Sequence, residues 1–186
     1  MNNQNNIARL IITFTCNRAC QGCCNSYSSI LNRAEYIDDV SEISGFNSIC
    51  LTGGEPLLNI DSTINILQAV KIKCPNSKVY LYTAFFTERV NEILDMVDGI
   101  HYTLHAEANL KDIEDFEKFQ SLISIRSNEK SFRLYIDSRV KHAVSIKPNI
   151  WKRLEIKRWL TEEELLLLQP EGLPPNEKLF ILKEKE

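Results

Sequence analysis

The chain has 186 residues, 44% of them hydrophobic and 25% charged, with a formal net charge of -3. That length suits one domain with a real core, and the mild acidity argues against a nucleic-acid or acidic-lipid partner. No apolar run approaches the ~20 residues a helix needs to cross a bilayer. The polar opening Met1-Asn2-Asn3-Gln4-Asn5-Asn6 lacks the basic-then-apolar layout of a secretory signal, so the expected location is cytoplasmic, where thiols stay reduced.

Strand-like and helix-like stretches alternate along the chain. Residues 7–14 are β-branched and apolar, which predicts a buried strand. Tyr36, Val40 and Ile43 share one helical face, with Gly45 as the stop. Residues 47–52 form a short apolar strand closed by Gly53-Gly54. Asp61 is placed to cap a helix that buries Ile64, Leu67 and Val70 and halts at Pro75. Residues 79–84 read as the next strand. Thr87 opens a helix with Val90, Ile93, Leu94 and Val97 on one face, ended by Gly99, and residues 100–104 form another strand. Asp112, Phe116, Phe119 and Ile123 fall at helical spacing, and Phe132, Leu134 and Ile136 alternate as in a strand.

A sixth strand is expected around residues 154–159, beside the basic cluster Lys152, Arg153, Lys157 and Arg158, which reads as a solvated face. Thr161 and Glu164 have the spacing of a capping box ahead of the leucine run 165–168. Pro170, Pro174 and Pro175 then break regular structure, and the charged tail 183–186 is expected in solvent.

Helices between successive strands imply parallel pairing with right-handed crossovers. A closed eightfold barrel typically needs about 250 residues. The expected class is therefore α/β, a partial (β/α)6-type barrel with parallel strands. One domain is expected over residues 1–186, with its core at about 7–137 and an extension over 138–186.

Four of the six cysteines, Cys16, Cys20, Cys23 and Cys24, lie within nine residues. In a reducing compartment such a cluster points to metal or redox chemistry more than to disulfides. Cys16, Cys20 and Cys23 have the spacing C-x3-C-x2-C, and three thiolates on one loop suit three corners of a [4Fe–4S] cube. Such cubes usually have four cysteine ligands, so one iron would remain open. Gly22 lets the backbone fold closely over such a core. Cys24, next in sequence to Cys23, is expected to diverge from it. Cys50 reads as a buried core thiol and Cys74 as inert at a helix end.

The cysteine spacing after a first strand, followed by Gly53-Gly54-Glu55-Pro56 after the second, resembles the two motifs of the radical S-adenosylmethionine (SAM) superfamily. The resemblance spans about residues 7–137. It implies a [4Fe–4S] cluster on Cys16, Cys20 and Cys23, with SAM bound at the open iron. An external one-electron donor reduces the cluster, SAM is cleaved to a 5′-deoxyadenosyl radical, and that radical abstracts a hydrogen atom from a substrate. It also implies that Gly53, Gly54 and Glu55 contact the SAM amino group, and makes Thr83 and His105 candidate SAM contacts by position. Glu107 and Asp137 line similar strand ends without forming an acid–base pair, and no catalytic residue on the substrate side is legible.

Two subtypes fit. Gly22-Cys23, followed by Asn25, is similar to glycyl radical activating enzymes such as the activase of anaerobic ribonucleotide reductase, whose partner is a glycyl radical enzyme. That family's tyrosine position holds Cys24 here. A small-molecule enzyme resembling 7-carboxy-7-deazaguanine synthase is the alternative, with a peptide-modifying role third. Outside radical chemistry stand an iron–sulfur electron carrier or redox sensor using Cys24 as fourth ligand, and a zinc module.

Overall fold

The structure is a computed structural model and describes residues 6–126, 128–170 and 173–183. Its strands are β1 (Ile7–Ile11), β2 (Glu35–Ile37), β3 (Ser48–Thr52), β4 (Lys78–Thr83), β5 (Gly99–Leu104), β6 (Ser131–Ile136), β7 (Arg153–Ile156) and β8 (Glu177–Leu182). The α-helices are α1 (Ser28–Leu31), α2 (Ile60–Lys73), α3 (Val90–Leu94), α4 (Leu110–Ile123) and α5 (Glu162–Leu168).

All strands join one open sheet in the order β2-β8-β1-β3-β4-β5-β6-β7, and every neighbouring pair is parallel. The run β1-β3-β4-β5-β6-β7 corresponds to the six strands expected from sequence, so the partial-barrel reading holds. Because side chains alternate along a strand, one face carries Leu10, Leu51, Leu81, Ile100 and Phe132 into the main core beneath α2, α3 and α4. Tyr102 stacks on Phe119 of α4 at 4.6 Å between ring centroids. Each such buried side chain contributes about 1.5–3 kcal/mol. The opposite face is covered more narrowly: α1 and α5 pack on Ile11, Leu179 and Ile181.

Several elements differ from expectation. Residues 35–43 are not one helix. Tyr36 lies on the edge strand β2, and Val40–Ile43 forms a 3-10 turn capped by Asp39. Asn59, not Asp61, caps α2, because the preceding turn at Pro56–Asn59 already sets the helical direction. Gly99 does not end a helix. It starts β5, and α3 stops at Leu94. Asp112 lies in α4 with Phe116, Phe119 and Ile123 as expected, and is also the acidic half of a capping box with Asn109. The box at Thr161 and Glu164 is present as expected.

The largest difference concerns the extension. It is no appendage, because β8 lies inside the sheet, paired with β1 on one side and β2 on the other. Lys183 is exposed, while residues 1–5 of the polar opening and residues 184–186 of the tail lie outside the described residues. The basic cluster is exposed as expected, on and beside the edge strand β7, whose Leu154 and Ile156 are 44% and 60% exposed. Among the described residues no helix is long and apolar enough to cross a membrane.

Candidate active site

Parallel strands place all their C-terminal ends on one edge of the sheet, the edge where open α/β folds bind ligands. The cysteine loop leaves β1 there. Cys16 is exposed, Cys20 and Cys23 are half-buried, and all six cysteines are free thiols. The loop closes through Cys23 N donating to Cys20 O at 3.2 Å. Burial pushes the Cys20 thiol up to about 12, with Glu107, Cys23 and Cys16 adding and Arg18 opposing. A cation bound there has to displace that proton.

The loop is clamped at three points. Gly54 N donates to Thr13 O at 2.7 Å, Glu55 N donates to Thr15 O at 2.8 Å, and the Asn25 amide donates to Gly53 O. Strand β3 pairs with β1, so the two motifs meet where their strands end. The glycines are required by this approach. Gly53 has φ +131°, and a Cβ there would overlap Thr13 O; a Cβ on Gly54 would overlap Thr15 O.

The second clamp is Arg18. Its guanidinium donates to both carboxylate oxygens of Asp112 at the start of α4 and to Ala84 O after β4 at 3.2 Å. The third involves Gln21, whose N–H donates to Glu107 at 2.9 Å and whose side-chain oxygen accepts from Arg139 at 2.6 Å. Arg139 is held in turn by the fully buried Asp137. Asp137 and Glu107 therefore brace the loop rather than face an open cleft with free carboxylates.

The extension supplies the wall. Gly22 has φ +90°, and a Cβ there would meet Trp159 Cβ at 2.9 Å and Leu160 O at 3.1 Å. Tyr27 donates its hydroxyl to Leu160 O at 2.8 Å, and Ser29 N donates to Glu162 at 2.8 Å. His105 stacks on Trp159 at 5.6 Å, and Tyr135 flanks the same indole at 4.9 Å. Burial pulls the His105 pKa down to about 4, with Arg18 adding, so its ring is neutral at physiological pH.

The side chains of Glu55 and Thr83 are engaged within the protein. Glu55 is only 2% exposed. Its carboxylate accepts from Leu57 N at 3.0 Å, the Thr83 hydroxyl at 2.7 Å and Ala84 N at 2.8 Å. Thr83 Oγ1 also accepts from Phe85 N at 3.0 Å. Both groups tie the Gly-Gly-Glu-Pro turn to the end of β4, so the turn that meets the cysteine loop is held from both sides. Glu55→Ala is expected to strand three donors and cost about 3–5 kcal/mol, read by urea denaturation. Wild-type stability in that variant would return the carboxylate to a ligand-facing role.

The donor set fits an iron–sulfur cluster. Two buried donors beside the loop, Arg18 Nε and Trp159 Nε1, lack any partner, and sulfides or thiolates are acceptors they lack. Among the described residues no three His, Cys, Asp or Glu side chains gather as a single ion requires. Cys50 is buried as expected, Cys74 is buried too, and Cys74 donates to Val40 O at 3.3 Å. Volume does not locate this chemistry: a depression of about 820 Å3 between α3 and α4 is lined by Glu88, Glu114, Glu117 and Lys118, with no thiol.

The sequence does not single out Arg18, Tyr27 or Trp159, and it marks Asn25 only as part of the activase-like motif. Arg18, a lone cation between two of the cysteines, was the one local signal. Nothing local marks Trp159, 136 residues beyond Cys23.

The family model described as "4Fe-4S single cluster domain" matches residues 8–121. The crystal structure of BtrN in complex with AdoMet and 2-DOIA superposes with a TM-score of 0.50 and 18% sequence identity, covering 72% of this chain and 58% of that one. This chain thus spans under two thirds of the length of that structure. SeMet BtrN in an open conformation aligns at 24% identity over 62% of this chain and 56% of that one, with a TM-score of 0.40. No curated protein matches the chain. The likeness to BtrN in its AdoMet complex is one of fold.

Proposed function

The chain belongs to the 4Fe–4S single cluster domain family, and from that premise we propose that it is a radical SAM enzyme acting on a small molecule. Cys16, Cys20 and Cys23 hold three irons, and the fourth takes SAM. When bound, the cluster and SAM together supply one-electron cleavage of the sulfonium carbon–sulfur bond and hydrogen-atom abstraction from the substrate. The electron comes from an external donor.

The observation that carries this reading is the contact between the two motifs. The cysteine loop rests on the Gly53-Gly54-Glu55 turn through three hydrogen bonds, so a ligand at the loop lies beside that turn. Each other part has a mechanical task. Arg18 and Asp112 fix the loop against α4, Glu55 braces the turn on β4, and Trp159 with His105 shields Gly22 from water. An apolar lid over the loop limits solvent access to a reactive centre.

The small-molecule reading has two supports. The fold is shared with BtrN, whose structure holds AdoMet and 2-DOIA together. Asn25, which on sequence favoured an activase of glycyl radical enzymes, has its amide engaged by Gly53 O and is explained by the architecture alone. The activase remains the second reading.

Anaerobically reconstituted protein with SAM and dithionite is expected to release 5′-deoxyadenosine, measured by chromatography. Intact SAM after full reduction of a loaded cluster would leave an electron carrier as the better account. A glycyl radical signal appearing in a co-purified protein partner would restore the activase.

A further inference from the structure

A second site lies on the opposite edge of the sheet from the cysteines. A cavity of about 570 Å3 is lined by Lys78, Tyr80, Tyr82, His101 and Arg133. Ile7, Ser48, Lys78 and Glu177 also border it, and each is the first residue of its strand. The cysteine loop leaves the other end of those strands. Between them, Arg9 sits over the Tyr82 ring at 5.3 Å, and Tyr82 packs on His101 at 4.2 Å. This stack crosses the middle of the face.

The charge in this cavity is unbalanced. Among the described residues Glu177 is the only carboxylate lining it, and Glu177 is taken by Arg9. Arg133 is half-buried, yet makes no hydrogen bond or ion pair with any described residue. A half-buried guanidinium carries five donors and a charge that desolvation makes costly to leave alone. Lys78 adds a second unpaired cation at the rim. His101 has a buried Nε2 with no partner. Burial, with Arg133, Arg9 and Arg153 adding, drives its pKa down to about 3, so the ring is neutral and offers a donor without needing charge.

We propose that this cavity binds a ligand through an anionic group, a phosphate or a carboxylate, held by Arg133 with Lys78 at the rim and His101 and Tyr80 on the walls. Arg133 is suited to a planar, two-pronged grip on either group. Cys50 also lines the cavity, but the site is separate from Cys16, Cys20 and Cys23 and does not depend on the radical reading.

The test is thermal melting of the full chain, without cluster, in inorganic phosphate and in malonate, with ionic strength matched by chloride. At least one anion is expected to raise the melting temperature saturably while chloride does not. A response to phosphate alone identifies a phosphoryl ligand, and to malonate alone a carboxylate. Arg133→Gln is expected to weaken the response about tenfold or more without lowering the melting point in chloride, because Arg133 has no bond to lose. If that variant does not fold, Lys78→Gln takes its place, with a loss of about threefold expected. No saturable shift with either anion, or variants responding like the parent, would overturn the site.

Discussion

Alanine at Cys16, Cys20 or Cys23 is expected to remove most of the iron and labile sulfide from anaerobically reconstituted protein, while Cys24→Ala keeps a full complement. The argument is local. At Cys23 the backbone is extended, with φ -68° and ψ 115°, and it turns into a 3-10 segment at Cys24–Ser26. Adjacent side chains across such a change of direction are expected to diverge, which would place them poorly for neighbouring corners of one cube. The other three thiols sit on the stretch that Arg18, Gln21 and the Gly53-Gly54 turn hold in place. Iron and sulfide per chain decide the matter. A Cys24 variant as depleted as the other three would mean a fully ligated cluster, with no iron free for SAM, and would turn the reading to electron transfer.

Gly53→Ala is expected to cost about 3–5 kcal/mol, near the upper end of single substitutions, and to lower the melting point by roughly 10 °C in a chain of this size. Two costs add. The residue has φ +131°, which an L side chain rarely adopts, and its new Cβ would collide with backbone, Thr13 O, which cannot swing aside as a side chain would. Relief requires the strand that leads into the cysteine loop to move off β3, so cluster retention falls with stability. Gly45→Ala is the control. A Cβ there meets nothing within 4 Å, so its stability is expected to stay within about 0.5 kcal/mol of the parent's. Equal behaviour of the two variants would show that the close approach of loop and turn is not needed.

The amino-acid sequence by itself determined the features written in short-range patterns. Alternating apolar residues set β6, helical spacing set α4, and Thr161 with Glu164 set the cap of α5, because each rests on neighbours within a few positions. The three cysteines and the Gly-Gly-Glu-Pro turn were legible for the same reason. Only the tertiary structure decided what those motifs touch. β8 gave little signal after two prolines, because a six-residue strand wedged between β1 and β2 owes its conformation to its partners. Glu55 is buried and accepts from Thr83 and Ala84 at the end of the next strand, partners that its place in the Gly-Gly-Glu-Pro turn does not reveal. Trp159 joins the cysteine loop, and Arg133 stands unpaired, through packing across the sheet. Local spacing reports what a residue is, whereas long-range pairing decides whether its polar atoms are already spent.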